Sequence, residues 1–264
     1  MRPTRLALAV VAALISPAAT ADERIEDVLG ATFRLDGGDA SGTCFLVKAG
    51  DAMVLVTAAH VLERSTGEEA NLILRERKPD GTYGRRETKI RVRDGARALW
   101  RRHPVEDVAA LKIALPDGVA VTPFRLSQLA DEADVTAGRV RVAQEIWIPT
   151  YPAQLEANAA GWPVLRRGTI ATHPLKPVRE VKTFLVDAAT FGGDSGAPVV
   201  VHSGASAEEP DGSEPMVVGL ILGMHRQTDR STMPFEEKTT HMPLGLAIVL
   251  QAPFAREVVE AESR

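Results

Sequence analysis

A serine stands among glycines in Phe191-Gly192-Gly193-Asp194-Ser195-Gly196-Ala197-Pro198. A serine hydroxyl is a weak nucleophile at neutral pH. It needs a base to take its proton and donors to receive the oxyanion formed when it attacks a carbonyl. Glycines on both sides free the backbone to turn its N–H groups inward. The N–H groups of Gly193 and Ser195 would then face the oxyanion, worth on the order of 3 kcal/mol. The plainer reading is a glycine-rich turn before a strand at 198–201. A base is offered by His60, in Leu55-Val56-Thr57-Ala58-Ala59-His60-Val61-Leu62, where two alanines let the imidazole stand clear of an apolar run. A carboxylate to orient that imidazole is offered by Asp107, in Glu106-Asp107-Val108-Ala109-Ala110-Leu111, with Glu106 as its nearest competitor. Taken singly, the histidine also reads as a packed or surface residue, and the acid as an ordinary strand opener.

Taken together and in the order His, Asp, Ser, the three segments resemble the chymotrypsin-like (trypsin-like) serine proteases. Thr57-Ala58-Ala59-His60, Asp107-Val108-Ala109-Ala110-Leu111 and Gly193-Asp194-Ser195-Gly196 match that family's motifs, and the resemblance spans about residues 43–249. Within it the chain is similar to the bacterial glutamyl-endopeptidase and high-temperature-requirement branch. Gly168-Thr169-Ile170-Ala171 and Leu244-Gly245-Leu246-Ala247-Ile248 support that branch more weakly. No segment after Val249 is long enough for a PDZ domain. The resemblance implies an all-β fold of two six-stranded antiparallel β-barrels, with the active site between them. His60 and Asp107 would come from the first barrel and Ser195 from the second, with a protein or peptide as substrate. Activity would appear as His60 loses its proton.

The chain also departs from the family. Trypsin-like members carry an acid six residues before the nucleophile; this chain has Ala189. Glutamyl endopeptidases carry a threonine matched by Thr190, and a pocket histidine whose counterpart is Ile221. A buried glutamate side chain would lack its partner there. The expected pocket is therefore small or medium and apolar, lined by Ala189, Thr190 and Ile221. The animal branch frees an Ile-Val-Gly-Gly terminus to pair with the acid before the serine. Asp194 is present, that tetrapeptide is not, and Arg24-Ile25 is a conceivable cut site.

The elements that must position these residues read as short strands between turns. The candidates are 31–35, 43–47, 53–57, 72–77, 89–92 and 109–114, then 139–142, 168–171, 183–187, 198–201, 217–222 and 246–249. Gly37-Gly38, Pro79-Asp80-Gly81 and Pro116-Asp117-Gly118 separate several of them. The joint falls at 115–134, giving a first unit over 22–120 and a second over 121–264. A short helix is expected at 58–64 and a C-terminal helix at 253–260, docked on the second barrel. Residues 203–215 read as an exposed polar loop.

Residues 1–21 read as a secretory signal: Arg2 and Arg5, an apolar run at 6–15, and Ala19-Thr20-Ala21 before the cut. That run is too short for a membrane anchor, which needs about 20 apolar residues. Secreted or periplasmic export follows, with no stable membrane insertion. Without the leader's two arginines, 29 basic residues face 35 acidic ones, which argues against a nucleic-acid binder. Residues 64–102 are locally basic and read as a solvated hairpin. Cys44 is the single cysteine, so no internal disulfide forms, and its apolar setting marks an inert thiol rather than a nucleophile. The sequence has no His-Glu-x-x-His and no cysteine cluster, so neither metal nor cofactor is expected. Two other functions fit the same residues: a catalytically silent binding protein on a protease fold, and an esterase or acyl transferase using the same triad.

Overall fold

The computed structural model describes residues 21–38, 40–201, 214–233 and 236–264. The expected leader at 1–21, up to residue 20, and the polar loop at 203–215, up to residue 213, lie outside the described residues. Helix α1 (Ala21–Gly30) opens the chain. Ten strands follow: β1 (Thr32–Asp36), β2 (Ser41–Ala49), β3 (Ala52–Thr57), β4 (Glu69–Arg77), β5 (Tyr83–Arg91), β6 (Arg93–Asp94), β7 (Arg97–Ala98), β8 (Arg101–Arg102), β9 (Ala109–Ile113) and β10 (Phe124–Arg125). Helix α2 (Ala59–Glu63) leaves β3, and α3 (Glu132–Thr136) follows β10. The second half holds β11 (Glu145–Thr150), β12 (Val164–Ile170), β13 (Thr183–Asp187), β14 (Pro198–Val201), β15 (Met216–Met233), β16 (Glu236–Gln251) and the C-terminal helix α4 (Ala252–Ser263).

The expected all-β class holds. The second half is a closed barrel of six strands in the order β11-β12-β13-β16-β15-β14. The first half is an eight-stranded sheet, consistent with the expected two-barrel fold. Its order is β5-β4-β1-β2-β3-β9-β8, with β10 joining β2 in parallel. At its centre, Cys44 to Val47 of β2 and Val54 to Val56 of β3 are wholly buried. They read as continuous apolar runs because both faces are covered: one by the sheet interior, the other by α4.

Helix α4 corrects one expectation. It packs on β3 and β9 of the first half as well as on β15 and β16 of the second, so it bridges the two. The cause is its apolar stripe: Phe254, Ala255, Val258 and Val259 are all buried. Burying each larger side chain contributes about 2 kcal/mol. The expected strand at 139–142 is also absent. The strand of that region is β11, which contains Pro149, and a proline in an apolar run lowers a strand reading. β15 and β16 run far beyond 217–222 and 246–249. They pair out to Met233 and Glu236, with residues 226–230 exposed and polar and so without the alternation that marks a half-buried strand. Helix α1 was not foreseen.

Candidate active site

His60 sits in α2, immediately after β3, and Asp107 sits in the turn before β9. β3 and β9 are ladder neighbours, with Thr57 opposite Ala109, and this register brings the two turns together. The contact is made at two points. His60 Nδ1 lies 2.6 Å from Asp107 Oδ2, and the His60 backbone N–H donates to Asp107 Oδ1 at 2.9 Å. Burial opposes the charge on Asp107. The bonds from the His60 ring and backbone outweigh it with help from Arg102, and hold the carboxyl below its ordinary range. Glu106 turns away and pairs with Lys182 at 2.7 Å. The carboxylate that reaches His60 is therefore that of Asp107.

Ser195 lies in the turn before β14, against the segment that carries His60. Its carbonyl accepts the Thr43 N–H at 2.9 Å. Gly196 has φ +87°, and a Cβ there would meet Thr43 O and Thr57 Oγ1 at 2.2 Å and Ala58 N at 3.0 Å. Only glycine fits that approach. The Ser195 hydroxyl donates to the Leu222 carbonyl on β15 at 3.3 Å. Gly193 has φ +97°, and a Cβ there would lie 2.4 Å from Tyr151 O. The two peptide groups around Gly193 are held by their carbonyls. Gly192 O accepts from Ala153 N at 2.6 Å, and Gly193 O accepts from Thr43 Oγ1 at 2.8 Å. In a trans peptide the N–H points opposite to the preceding carbonyl. The Gly193 N–H is therefore turned away from the loop that holds Gly192 O.

Asp194 braces this turn from beneath. It is 1% exposed. Thr150 Oγ1 donates to its Oδ1 at 2.6 Å, and Arg166 Nη1 and the Phe191 N–H donate to its Oδ2 at 2.9 and 2.8 Å. A carboxylate this deep needs such partners to stay charged. Arg166 and Thr150 come from adjacent barrel strands, β12 and β11. Thr43 of β2 binds the same turn through its N–H and its hydroxyl, and so couples the first half to the Ser195 turn. Sequence reasoning missed all three. The sequence offered no means of choosing Arg166 over Arg167 beside it, whose side chain faces Glu145 on the outside.

A second buried cation lies behind the site. Arg75 of β4 is fully buried between the rings of Phe33 and Trp162, 4.2 and 4.3 Å from their centroids. It donates to the carbonyls of Thr32 at 3.0 Å and Gly161 at 3.3 Å, and to Tyr151 Oη at 3.3 Å. Burial pushes its pKa down, and the ring–cation contacts and carbonyls compensate the charge. Tyr151 is thereby fixed, and with it the Tyr151 carbonyl and Ala153 N–H that border Gly192 and Gly193. Of the residues expected to line a pocket, Thr190 and Ile221 are buried and Ala189 is exposed. Thr190 Oγ1 has no hydrogen-bond partner. Ile221 is tied by its backbone to the nucleophile turn, accepting from Gly196 N at 2.7 Å and donating to Ala197 O at 2.9 Å. Cys44 is buried, donates to Phe33 O at 3.5 Å, and is pushed far up in pKa by burial, which leaves it an inert thiol. No group of acidic, histidine and cysteine side chains able to hold a metal occurs among the described residues.

Residues 42–205 match the trypsin-like peptidase domain family, and the chain belongs to that family of serine proteases. Among solved structures, the fold is similar to that of the HtrA-type protease AlgW bound to a tripeptide. The two share 16% identity with a TM-score of 0.54, over 92% of this chain and 63% of that one. This chain thus spans less than two thirds of that protease. Rv3671c from M. tuberculosis, in an inactive form, shares 14% identity over 97% of each chain with a TM-score of 0.49. No curated protein matches the chain.

Proposed function

We propose that this chain is an exported serine endopeptidase in which His60, Asp107 and Ser195 form the catalytic triad. The observation that carries the reading is the two-point contact between His60 and Asp107, beside a serine turn whose glycines admit no side chain. The Ser195 hydroxyl, which donates to the Leu222 carbonyl in the resting structure, must leave that bond to engage His60 Nε2. His60 takes the hydroxyl proton as Oγ attacks the scissile carbonyl, and Asp107 holds the ring in the Nδ1–H form and stabilises its cation. The N–H groups of Gly193 and Ser195 receive the oxyanion. His60 then gives its proton to the leaving amine, which leaves an acyl-enzyme at Ser195 Oγ; water, deprotonated by His60, attacks that ester, and the acid leaves as Oγ takes the proton back. The reaction requires no cofactor.

The unit over 22–120 supplies His60 and Asp107, and the unit over 121–264 supplies Ser195. Export rests on the leader motif at 1–21. No helix among the described residues is long and apolar enough to cross a membrane. The side chain before the cut is small or medium and apolar. Support comes from the buried Thr190 and Ile221 and from the absence of charge at Ala189. Incubation with a peptide library tests both claims. Cleavage after apolar residues, lost in Ser195→Ala, is expected. Dominance of Glu, Lys or Arg before the cut contradicts the pocket, and equal cleavage by the Ser195→Ala chain contradicts the triad.

A further inference from the structure

Asp107 is presented by a small turn built around another histidine. The His103 N–H donates to Val108 O at 2.9 Å, which closes the turn. Inside it, His103 Nδ1 accepts two backbone N–H groups, from Val105 at 3.2 Å and Glu106 at 2.9 Å. A ring nitrogen that accepts carries no proton, so the ring's proton resides on Nε2. Nε2 lies 3.2 Å from Glu257 Oε2 on α4. The ring is buried and packs edge-on against Phe254 of the same helix, at 5.5 Å between centroids. Nδ1 is as many bonds from the backbone as Oδ1 of Asn or Asp. Those residues shape turns by accepting N–H groups a little further along the chain. Here an imidazole does so, in the one turn that aims Asp107.

We infer that His103 is a positioning residue for Asp107. In its Nε2–H form it shapes the turn, and Glu257 of the C-terminal helix accepts a hydrogen bond from that N–H. The inference rests on the His60–Asp107–Ser195 reading. The carboxylate–imidazole pair that orients the base is thus oriented in turn by a second such pair. The groups around the ring divide by element. Glu257 faces it from α4, itself paired with Arg179. From the turn and its flank come Glu106, engaged by Lys182, and Arg102, which donates to the His103 carbonyl at 3.0 Å. A second proton on the ring must go to Nδ1. It would then face two N–H donors and both bonds would be lost.

The test compares two substitutions in the full-length mature chain. His103→Asn keeps an acceptor at the same bond distance and cannot titrate; His103→Leu keeps bulk and removes the acceptor. With a cleaved peptide substrate, His103→Leu should lose up to roughly 100-fold in kcat with KM little changed, as a misaimed catalytic group does. His103→Asn should recover most of that loss. Nitrogen NMR of the ring should show the Nε2–H form. Unchanged turnover in His103→Leu, His103→Asn as impaired as a folded His103→Leu, or an Nδ1–H ring would each overturn the inference. If His103→Leu does not fold, the turnover of His103→Asn, expected near that of the natural chain, and the ring's form decide. A natural chain with the Nε2–H ring that cleaves no peptide contradicts the protease reading and leaves the turn geometry standing.

Discussion

Asp194 is a buried carboxylate next to Ser195, and it is paired inside the fold with Arg166. Breaking such a pair leaves a charge without compensation. Arg166→Ala should therefore destabilise the chain by about 3 kcal/mol and lower kcat more than it raises KM, since the loop carrying Gly193 loses its brace. Denaturant unfolding and steady-state kinetics check this; a variant with unaltered stability and kcat contradicts the assigned role. Asp107→Asn should lower kcat by about 10⁴-fold, because an amide favours the wrong ring tautomer without disturbing the geometry. The pH dependence of stability follows from Asp107 and Glu257, both held below the ordinary carboxylate range. For Glu257, burial works the other way and is outweighed by the bonds from Arg179 and His103. A lowered folded-state pKa means the unfolded chain binds protons first as pH falls. The stabilisation from these two groups is complete above their unfolded values and is lost as pH drops through the folded ones. Thermal midpoints measured from pH 6 downward should decline below about pH 4. The decline should be shallower in Asp107→Asn.

At the scale of elements, the nucleophile turn has two positions that exclude any side chain. Gly196→Ala would set a Cβ against Thr43 O, Thr57 Oγ1 and Ala58 N at a positive φ. It should cost at least about 2 kcal/mol and most of the activity. These glycines were legible in the sequence because a Gly-x-Ser-Gly turn states its own backbone demand. The strands β1, β3, β9, β13 and β14 were legible for a similar reason: their apolar runs are short and bounded by turns. β11 was hidden by Pro149, and the outer parts of β15 and β16 by the polarity of a ribbon whose sides are both wet. His60 and Ser195 announced themselves by local chemistry. Thr43, Thr150, Arg166 and His103 did not, because what each does depends on a partner far away in the chain. Helix α1 also bears on activation. Arg24-Ile25 lies within its ten residues, and Asp194 already has Arg166, so no liberated terminus is required. Sequencing the N-terminus of active protein should show residues 24 and 25 still joined. Activity that appears only after cleavage there would contradict this.

The molecule as a whole places its two halves under common control. α4 crosses from the barrel to the first sheet, Thr43 reaches from β2 into the nucleophile turn, and Arg75 ties β4 to Tyr151 beside Gly193. Removing the Arg75 guanidinium would strand several carbonyls, and Arg75→Met should cost about 3 kcal/mol while slowing reaction at Ser195. The central claim is that Ser195 is a nucleophile made reactive by His60 and Asp107. The most direct measurement is reaction of the mature chain with a fluorophosphonate, followed by mass mapping of the adduct. A single adduct on Ser195, absent in Ser195→Ala and strongly slowed in His60→Ala, is predicted. A folded chain that takes up no label, or takes it up elsewhere with Ser195 untouched, would contradict the account.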